Sequence, residues 1–390
     1  MSGPDTLHVI PRRVEASLAT AARGVVALAV DGLSYAVAGQ CLRRAVVTPL
    51  RSTFPSTSTT AWLTAVTGRD VSEHGAVGML YRAPGSHQVT NLVTGESRGF
   101  NGRRSEHAEP VGQPGGAPGP LLHPAPTIFD AARSAGARAV VLGPEVASLR
   151  GPWADALLHG ALRRTGKPAQ AAERTEAAEA ARRLPIDAGA VVARTVAEVD
   201  DELARRHDAP LLLWAYVNVD DHIHRAGYDR PLRRALGRLD AAASRWADDG
   251  WTVLAHADHG QVAVRPRPDL AQRWARLDNP AYCRCPGGGA GRVRWLYPRP
   301  GMQDLVAARL RAAMGEHALV LHSAELAARG LMATSPIVLE RIGEVVAVAT
   351  SPQFPVPDPG LAYEHGSTAD AEVLVPFATW GEPTAATLPP

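Results

Sequence analysis

The sequence predicts an α/β fold with strands buried on both faces of a parallel sheet, and three observations carry that expectation. Continuous apolar runs recur along the chain: GVVALAV at residues 24–30, APLLLWAYVNV at 209–219 and WTVLAHA at 251–257. Such unbroken runs suit strands covered on both sides. Stretches with helical spacing lie between them, and alternation of this kind builds an α/β sheet. Each run also closes on an aspartate, at Asp31, Asp220 and Asp258. In open α/β sheets, ligands bind outside the carboxyl ends of the strands.

The elements follow in order. Residues 1–23 read as an N-terminal extension, and 24–390 as one domain. After the first strand comes RSTFPSTSTTAWLTAVTG, residues 51–68, with nine Ser or Thr in eighteen positions. Its TTAWLTAVTG portion reads as a short helix closed by Gly68. Residues 80–125 are rich in Gly, Pro, Ser, Asn and Arg with little periodicity, so they read as a long irregular insertion. TIFDAARSAG is a helix and ARAVVLG a strand. Ala- and Arg-rich sequence at 152–206 is largely helical. PLRRALGRLDAAASRWADDG is a helix. The segment 279–295, beginning NPAYCRCPGGGAGR, reads as a second irregular insertion. VRWLYP, helical DLVAARLRAAMG and the strands HALVLHS and GEVVAVAT complete the alternation, ahead of YEHGS.

Composition narrows the function. The chain has 390 residues, 45% hydrophobic and 21% charged, with a formal net charge of +2. That balance calls for no nucleic-acid polymer as a partner. Three cysteines, Cys41, Cys283 and Cys285, fit a reducing compartment rather than a disulfide framework. With no apolar leader and no apolar run long enough to span a bilayer, the chain reads as soluble and cytoplasmic, away from membranes. Composition leaves the oligomeric state open.

The chemistry gathers at the predicted sheet edge. Histidines accompany the three aspartates: His224 four residues after Asp220, His259 directly after Asp258, and His365 in YEHGS. One Asp at a strand end is more often a cap or turn residue. Three Asp and three His converging on one edge make a nest for two divalent metals. Mixed imidazole and carboxylate ligation suits Zn²⁺ best. A Ser or Thr at the start of the hydroxyl-rich helix would face the same edge, where a helix N-terminus favours anions. The plainer reading is an N-cap with hydroxyls turned onto their own backbone.

These pieces together resemble the alkaline phosphatase superfamily, most closely its nucleotide pyrophosphatase/phosphodiesterase-like branch. The matching motifs are ALAVDG, STFPSTSTTAWLTAVTG, EHGAVG, VDDHIHRAG, HADHG and YEHGS, spread over residues 27–367. The resemblance implies an alkaline-phosphatase-like, mostly parallel central sheet with helices on both faces and irregular cap insertions. It implies a phosphoric ester hydrolase of phosphodiesterase type, with a covalent phospho-enzyme intermediate and two zinc ions. Asp220, His224 and His365 would hold one ion; Asp31, Asp258 and His259 would hold the other. The superfamily's nucleophile stands nine residues before the Thr of the helix-closing Thr-Gly, which selects Ser58, with Thr57 and Thr53 as fallbacks. The resemblance leaves phosphomonoesterase and phosphonate hydrolase as alternatives, and a non-catalytic nucleotide-binding relative behind them. It implies a small phosphorylated substrate, with a nucleotide or nucleotide-sugar among the candidates.

One departure stands out. Relatives with a TFPN motif carry an Asn three residues after the nucleophile to hold a phosphoryl oxygen, and here Ala61 is found. Rival phosphatases and sulfatases fit less well. No Cys- or Ser-x-Pro-x-Arg surrounds Ser58, and Leu33 occupies the place of a haloacid-dehalogenase second Asp. His74 in EHG reads as structural. Cys283 and Cys285 read as free thiols on a loop. His222 and His256 read as supporting or solvent-facing. Arg82, Arg98, Arg103 and Arg104 read as solvated loop residues able to meet phosphate.

Overall fold

The computed structural model describes residues 4–83, 85–100, 104–105, 122, 125–164 and 187–381. Arg103 lies outside them. A seven-stranded sheet runs, edge to edge, through Val46–Arg51, Leu374–Trp380, Thr252–His256, Gly24–Asp31, Leu211–Asn218, Arg138–Leu142 and Leu162–Arg163. Leu374–Trp380 runs antiparallel to both its neighbours, and the remaining pairings in this sheet are parallel. Gly24–Asp31 sits at its centre, and every residue of it is buried. The Val and Leu side chains of these strands need apolar cover on both faces. Helices supply it, among them Ala188–Leu203 and Arg230–Asp248. Within residues 1–23, Leu7, Ile10 and Val14 are fully buried in the same core, and the Ile10–Thr20 helix packs against the central strand.

The two stretches read as irregular insertions meet in one structure. Antiparallel strands run in the order Ala318–His322, Val345–Ala349, Val293–Pro298, Cys283–Ala290, Leu80–Arg82, Val89–Asn91, Ser97–Arg98 and Arg104–Ser105. Leu80 of the first stretch pairs with Gly289 of the second. The glycine-rich run is thus a strand, and its partner gives the reason. A Cβ on Gly288 would fall 2.4 Å from Trp295 Nε1, so glycine there lets the Trp295 indole lie across the strand. Glycine of this kind marks a close approach rather than a loop. Cys283 and Cys285 accordingly sit buried on that strand as free thiols, not on a loop. Among the described residues, no helix is long and apolar enough to cross a membrane.

Register aligns the three aspartates. Asp31 ends the central strand and pairs with Asn218, so Asp220 stands two residues further along one neighbour. Ala29 pairs with His256, so Asp258 stands two residues further along the other. Asp220 falls just beyond its strand, as the first residue of the Asp220–Ala226 helix, and the i,i+4 spacing puts His224 on its face. Gly32 allows the close approach: with φ at +79°, a Cβ there would lie 2.7 Å from Asp220 Oδ1.

His74 is structural in this fold. It is 2% exposed, its Nδ1 accepts the Ala76 N–H at 3.1 Å, and its Nε2 contacts Thr64 Oγ1 at 3.1 Å. Burial pushes its pKa down from 6.5 to about 4. Below pH 6.5 the unfolded chain takes up a proton that the folded chain refuses until about pH 4, so stability falls as pH drops through that window. At most about 3 kcal/mol of acid sensitivity traces to this group. His74→Gln is expected to flatten that part of the profile, read by urea unfolding at pH 7 and pH 4.5. An unchanged difference between the two pH values would assign the acid loss elsewhere.

Candidate metal and phosphoryl-transfer site

The hydroxyl-rich segment resolves residue by residue. The helix spans Ser58–Thr67, with extended Thr57 as its N-cap and left-handed Gly68 closing it. Most hydroxyls are turned onto backbone. Thr53 Oγ1 donates to the Pro55 carbonyl at 2.9 Å, and Thr60 Oγ1 to the same carbonyl at 2.7 Å. Ser56 Oγ donates to the Ser367 carbonyl at 2.8 Å, and Thr67 Oγ1 to the Leu63 carbonyl at 2.6 Å. Ser52 Oγ donates to the Asp258 carbonyl. Thr57 is buried at the cap. Ser58 differs: it is half-buried, and its Oγ lies 3.1 Å from His259 Nε2.

All six predicted ligands are brought into one cluster. Asp31, Asp258 and His259 offer ligand atoms within 4.8 Å of one another, and so do Asp220, His259 and His365. A further trio joins His224 and His365 to Glu364. His224 meets Asp220 directly, Nε2 to Oδ2 at 3.1 Å. His259 and His365 stack with ring centroids 3.7 Å apart. The two expected trios are therefore one continuous cluster in which His259 and His365 are shared.

The imidazoles are oriented alike. Nδ1 of His224 faces the Tyr363 carbonyl at 2.8 Å, and Nδ1 of His365 faces the Ser56 carbonyl at 2.9 Å. Nδ1 of His259 faces the Gly260 carbonyl at 3.3 Å. A carbonyl at Nδ1 holds the proton there and leaves Nε2 as the lone-pair nitrogen, the usual support for a metal-binding histidine. Asp31 is held through one oxygen only. Its Oδ2 accepts from the Tyr216 hydroxyl and from Trp62 Nε1, the latter at 3.4 Å. Its Oδ1 is buried without a partner, as is Oδ2 of fully buried Asp258. Unbonded carboxylate oxygens in a dry site are costly, and two of them gathered at His259 Nε2, at 3.7 and 3.2 Å, fit a divalent cation.

Burial and mutual charge perturb the ionisation of these groups strongly. Burial pushes Asp31 well above its ordinary range, helped by the Asp258 and Asp220 carboxylates. Burial also raises Asp258, against the opposing pull of His259. Burial opposes ionisation of Asp220 and protonation of His224, yet each outweighs it for the other: Asp220 is lowered, and His224 rises to about 10. His365 is pushed well down by burial and by His259.

Several site residues escaped the sequence reading. Glu364 is 5% exposed beside His224 and His365, although it stands inside the YEHGS motif. Tyr216 and Trp62 hold Asp31, and Gln261 Nε2 donates to Asp220 Oδ1 at 2.5 Å. Nothing in their local sequence marks them, because each reaches the site across a strand or loop. His222 and His256 prove not to be solvent-facing. His222 Nε2 meets Asp229 Oδ1 at 3.0 Å, and His256 is buried edge-on to Trp62. Arg82 bonds the carbonyls of Ser86 and Glu340, and Arg98 is exposed.

Ser56 ties the nucleophile loop to the His365 loop. Its N–H donates to the Gly366 carbonyl at 3.3 Å, and its carbonyl faces His365 Nδ1. Its hydroxyl accepts the Gly366 N–H at 3.2 Å while donating to Ser367. Behind that loop, Arg292 Nε donates to Glu372 Oε1 at 3.1 Å, and Glu372 accepts the Ser367 N–H at 2.9 Å.

The mostly parallel α/β sheet, with this Asp/His cluster and a hydroxyl-bearing helix at its carboxyl edge, is an alkaline-phosphatase-like fold. The chain belongs to the type I phosphodiesterase / nucleotide pyrophosphatase family, whose model matches residues 40–367. It is thereby an enzyme acting on phosphoric ester or phosphoanhydride bonds. Murine ectonucleotide pyrophosphatase / phosphodiesterase 5 shares the fold at a TM-score of 0.60 and 15% identity, over 92% of this chain and 88% of that one. Its inactive variant in complex with AMP gives 0.59 at 16% identity, over 91% and 87%. Phosphonoacetate hydrolase from Sinorhizobium meliloti 1021, in complex with phosphonoformate, gives 0.57 at 19% identity, over 92% and 90%. A sequence comparison with curated proteins finds no match.

Ser56→Ala is expected to leave the Gly366 N–H and Ser367 carbonyl short of a partner, at a cost of about 2 kcal/mol. Urea unfolding of the two proteins measures it. A midpoint and slope equal to wild type would mean that the hydroxyl does not hold these loops together.

Proposed function

We propose that the chain hydrolyses a small phosphodiester or phosphoanhydride, with nucleotides the leading substrate class, through a phospho-Ser58 intermediate. The observation that carries this reading is the Ser58 hydroxyl at a helix N-terminus, 3.1 Å from His259 Nε2, beside the unpartnered oxygens of Asp31 and Asp258. Thr53 is turned onto the Pro55 carbonyl and Thr60, which favours Ser58 over that fallback.

Asp31, Asp258 and His259 would hold one zinc ion and Asp220, His224 and His365 the other; when bound, the pair supplies positive charge for the serine oxygen and the phosphoryl group. The chain's own groups do the rest. With its Nδ1 proton on the Gly260 carbonyl, His259 keeps its Nε2 lone pair for the cation, and that nitrogen lies 3.1 Å from Ser58 Oγ, so the hydroxyl stands beside the position the cation would take. Tyr216 and Trp62 keep Asp31 Oδ2 occupied, so Oδ1 faces inward. N–H groups in the first turn of the Ser58–Thr67 helix offer the phosphoryl oxygens donors, where Ala61 offers none. Ser58 Oγ gives up its proton to solvent and bonds to phosphorus while the bond from phosphorus to the leaving oxygen breaks; that oxygen leaves as an anion and takes a proton from solvent. Water then attacks the phospho-serine, restoring Ser58 and releasing the phosphoryl product.

Ser58→Ala is expected to lower turnover of bis-p-nitrophenyl phosphate by roughly three orders of magnitude while zinc content stays at the wild-type level. Thr57→Val and Thr53→Val should retain most activity. Undiminished turnover by Ser58→Ala would move the nucleophile elsewhere. Parallel assays with p-nitrophenyl phosphate, each with and without a chelator, are expected to favour the diester and to collapse on chelation. Preference for the monoester would overturn the diesterase reading, and indifference to the chelator the metal reading.

A further inference from the structure

We propose that Glu364 is a ligand of the cation held by His365, the fourth carboxylate of the centre; this rests on the two-cation reading above. Glu364 is 5% exposed, and its Oε1 lies 3.6 Å from His365 Nε2 and 4.0 Å from His224 Nδ1. Two ligands on one tetrahedral zinc stand about 3.3 Å apart, given metal–ligand bonds near 2.0–2.1 Å. The 3.6 Å separation is therefore close to that of neighbours around a shared ion. Glu364 also closes a trio of candidate ligand atoms with His224 and His365, all within 4.8 Å.

Charge points the same way. Four buried or nearly buried carboxylates meet here: Asp31, Asp220, Asp258 and Glu364. Among the described residues, their ion pairs within 4 Å are with histidines alone. Neither arginine nor lysine compensates them, and uncompensated buried charge is strongly unfavourable. Two divalent cations carry four positive charges, which match four carboxylates and leave the imidazoles neutral as ligands require. Without Glu364, the three aspartates fall one charge short of that balance.

The backbone aims Glu364 at this place. Glu364 pairs with Val262 in a two-stranded ladder, which brings its segment beside Asp258 and His259. Its Oε1 accepts the His365 N–H at 2.9 Å, so carboxylate and imidazole are set together. Gly291 makes room, since a Cβ there would fall 2.6 Å from Glu364 Oε1.

The test uses the full chain, stripped of metal and titrated with zinc against a chromophoric chelator. Glu364→Gln keeps an oxygen for the His365 N–H and removes only the charge. It is expected to weaken one of the two zinc sites by about tenfold or more and leave the other near wild type. Its metal-free form should melt no lower than wild type, while the melting rise caused by zinc should be smaller. Wild-type zinc affinity at both sites of Glu364→Gln would overturn the assignment. Should that variant not fold, Glu364→Asp, with the charge withdrawn by one methylene, is titrated in the same way, and undiminished affinity at both sites overturns the assignment equally. If wild type itself binds fewer than two zinc ions, the two-cation reading fails and takes this inference with it.

Discussion

Asp31 and Asp258 stand at the ends of neighbouring parallel strands, almost wholly out of water, each with one oxygen that no described group bonds. Asp220 adds a third carboxylate from the strand on the other side. A parallel sheet lets three strands deliver side chains to one edge, and it does so at the depth where charge is least tolerated. The local structure around the cluster answers that concentration of negative charge. Three imidazoles turn their Nε2 atoms inward, and backbone carbonyls hold the opposite nitrogens.

The rest of the molecule keeps this arrangement fixed. Trp62, Trp214, Tyr216 and Phe129 pack edge-to-face or stacked beneath Asp31, with centroids 5.6 to 6.1 Å apart. Such packing leaves little freedom in χ angles. Tyr216 and Trp62 also turn their polar atoms to Asp31 Oδ2, so one aromatic wall serves both core and site. On the opposite side, the antiparallel sheet ends near the site in the turn at Gly291–Arg292. The Arg292 N–H donates to the His365 carbonyl at 2.7 Å. That second sheet is thus a support for the His365 loop.

Hydroxyl density in the 51–68 segment has a structural origin more than a catalytic one. Most of its Ser and Thr side chains satisfy backbone carbonyls at a tight loop and helix start, where main-chain bonding is incomplete. They hold Ser58 in place at the mouth of the cluster. Ser56 extends this by joining the same loop to His365, so the segment carrying the hydroxyl is hydrogen-bonded to the most distant predicted ligand.

Apolar runs, their helical intervals and their closing aspartates determined the middle strands of the large sheet by themselves, because strands buried on both faces leave a continuous hydrophobic signature; its edge strands Val46–Arg51 and Leu162–Arg163 and the antiparallel Leu374–Trp380 left none, and the runs at 318–322 and 345–349 joined the second sheet instead. Local motifs also carried the six Asp and His candidates, since each sits where a strand or short helix ends. The tertiary structure alone decided what touches across elements. Glycines 287–289 signal a loop in sequence but form a strand against the neighbouring one, with the Trp295 indole lying across Gly288, and Glu364, Tyr216, Trp62 and Gln261 reach the site from segments that local periodicity cannot relate. The two expected ligand trios merged for the same reason: His259 and His365 stack face to face, a contact between residues 106 positions apart that only chain folding sets.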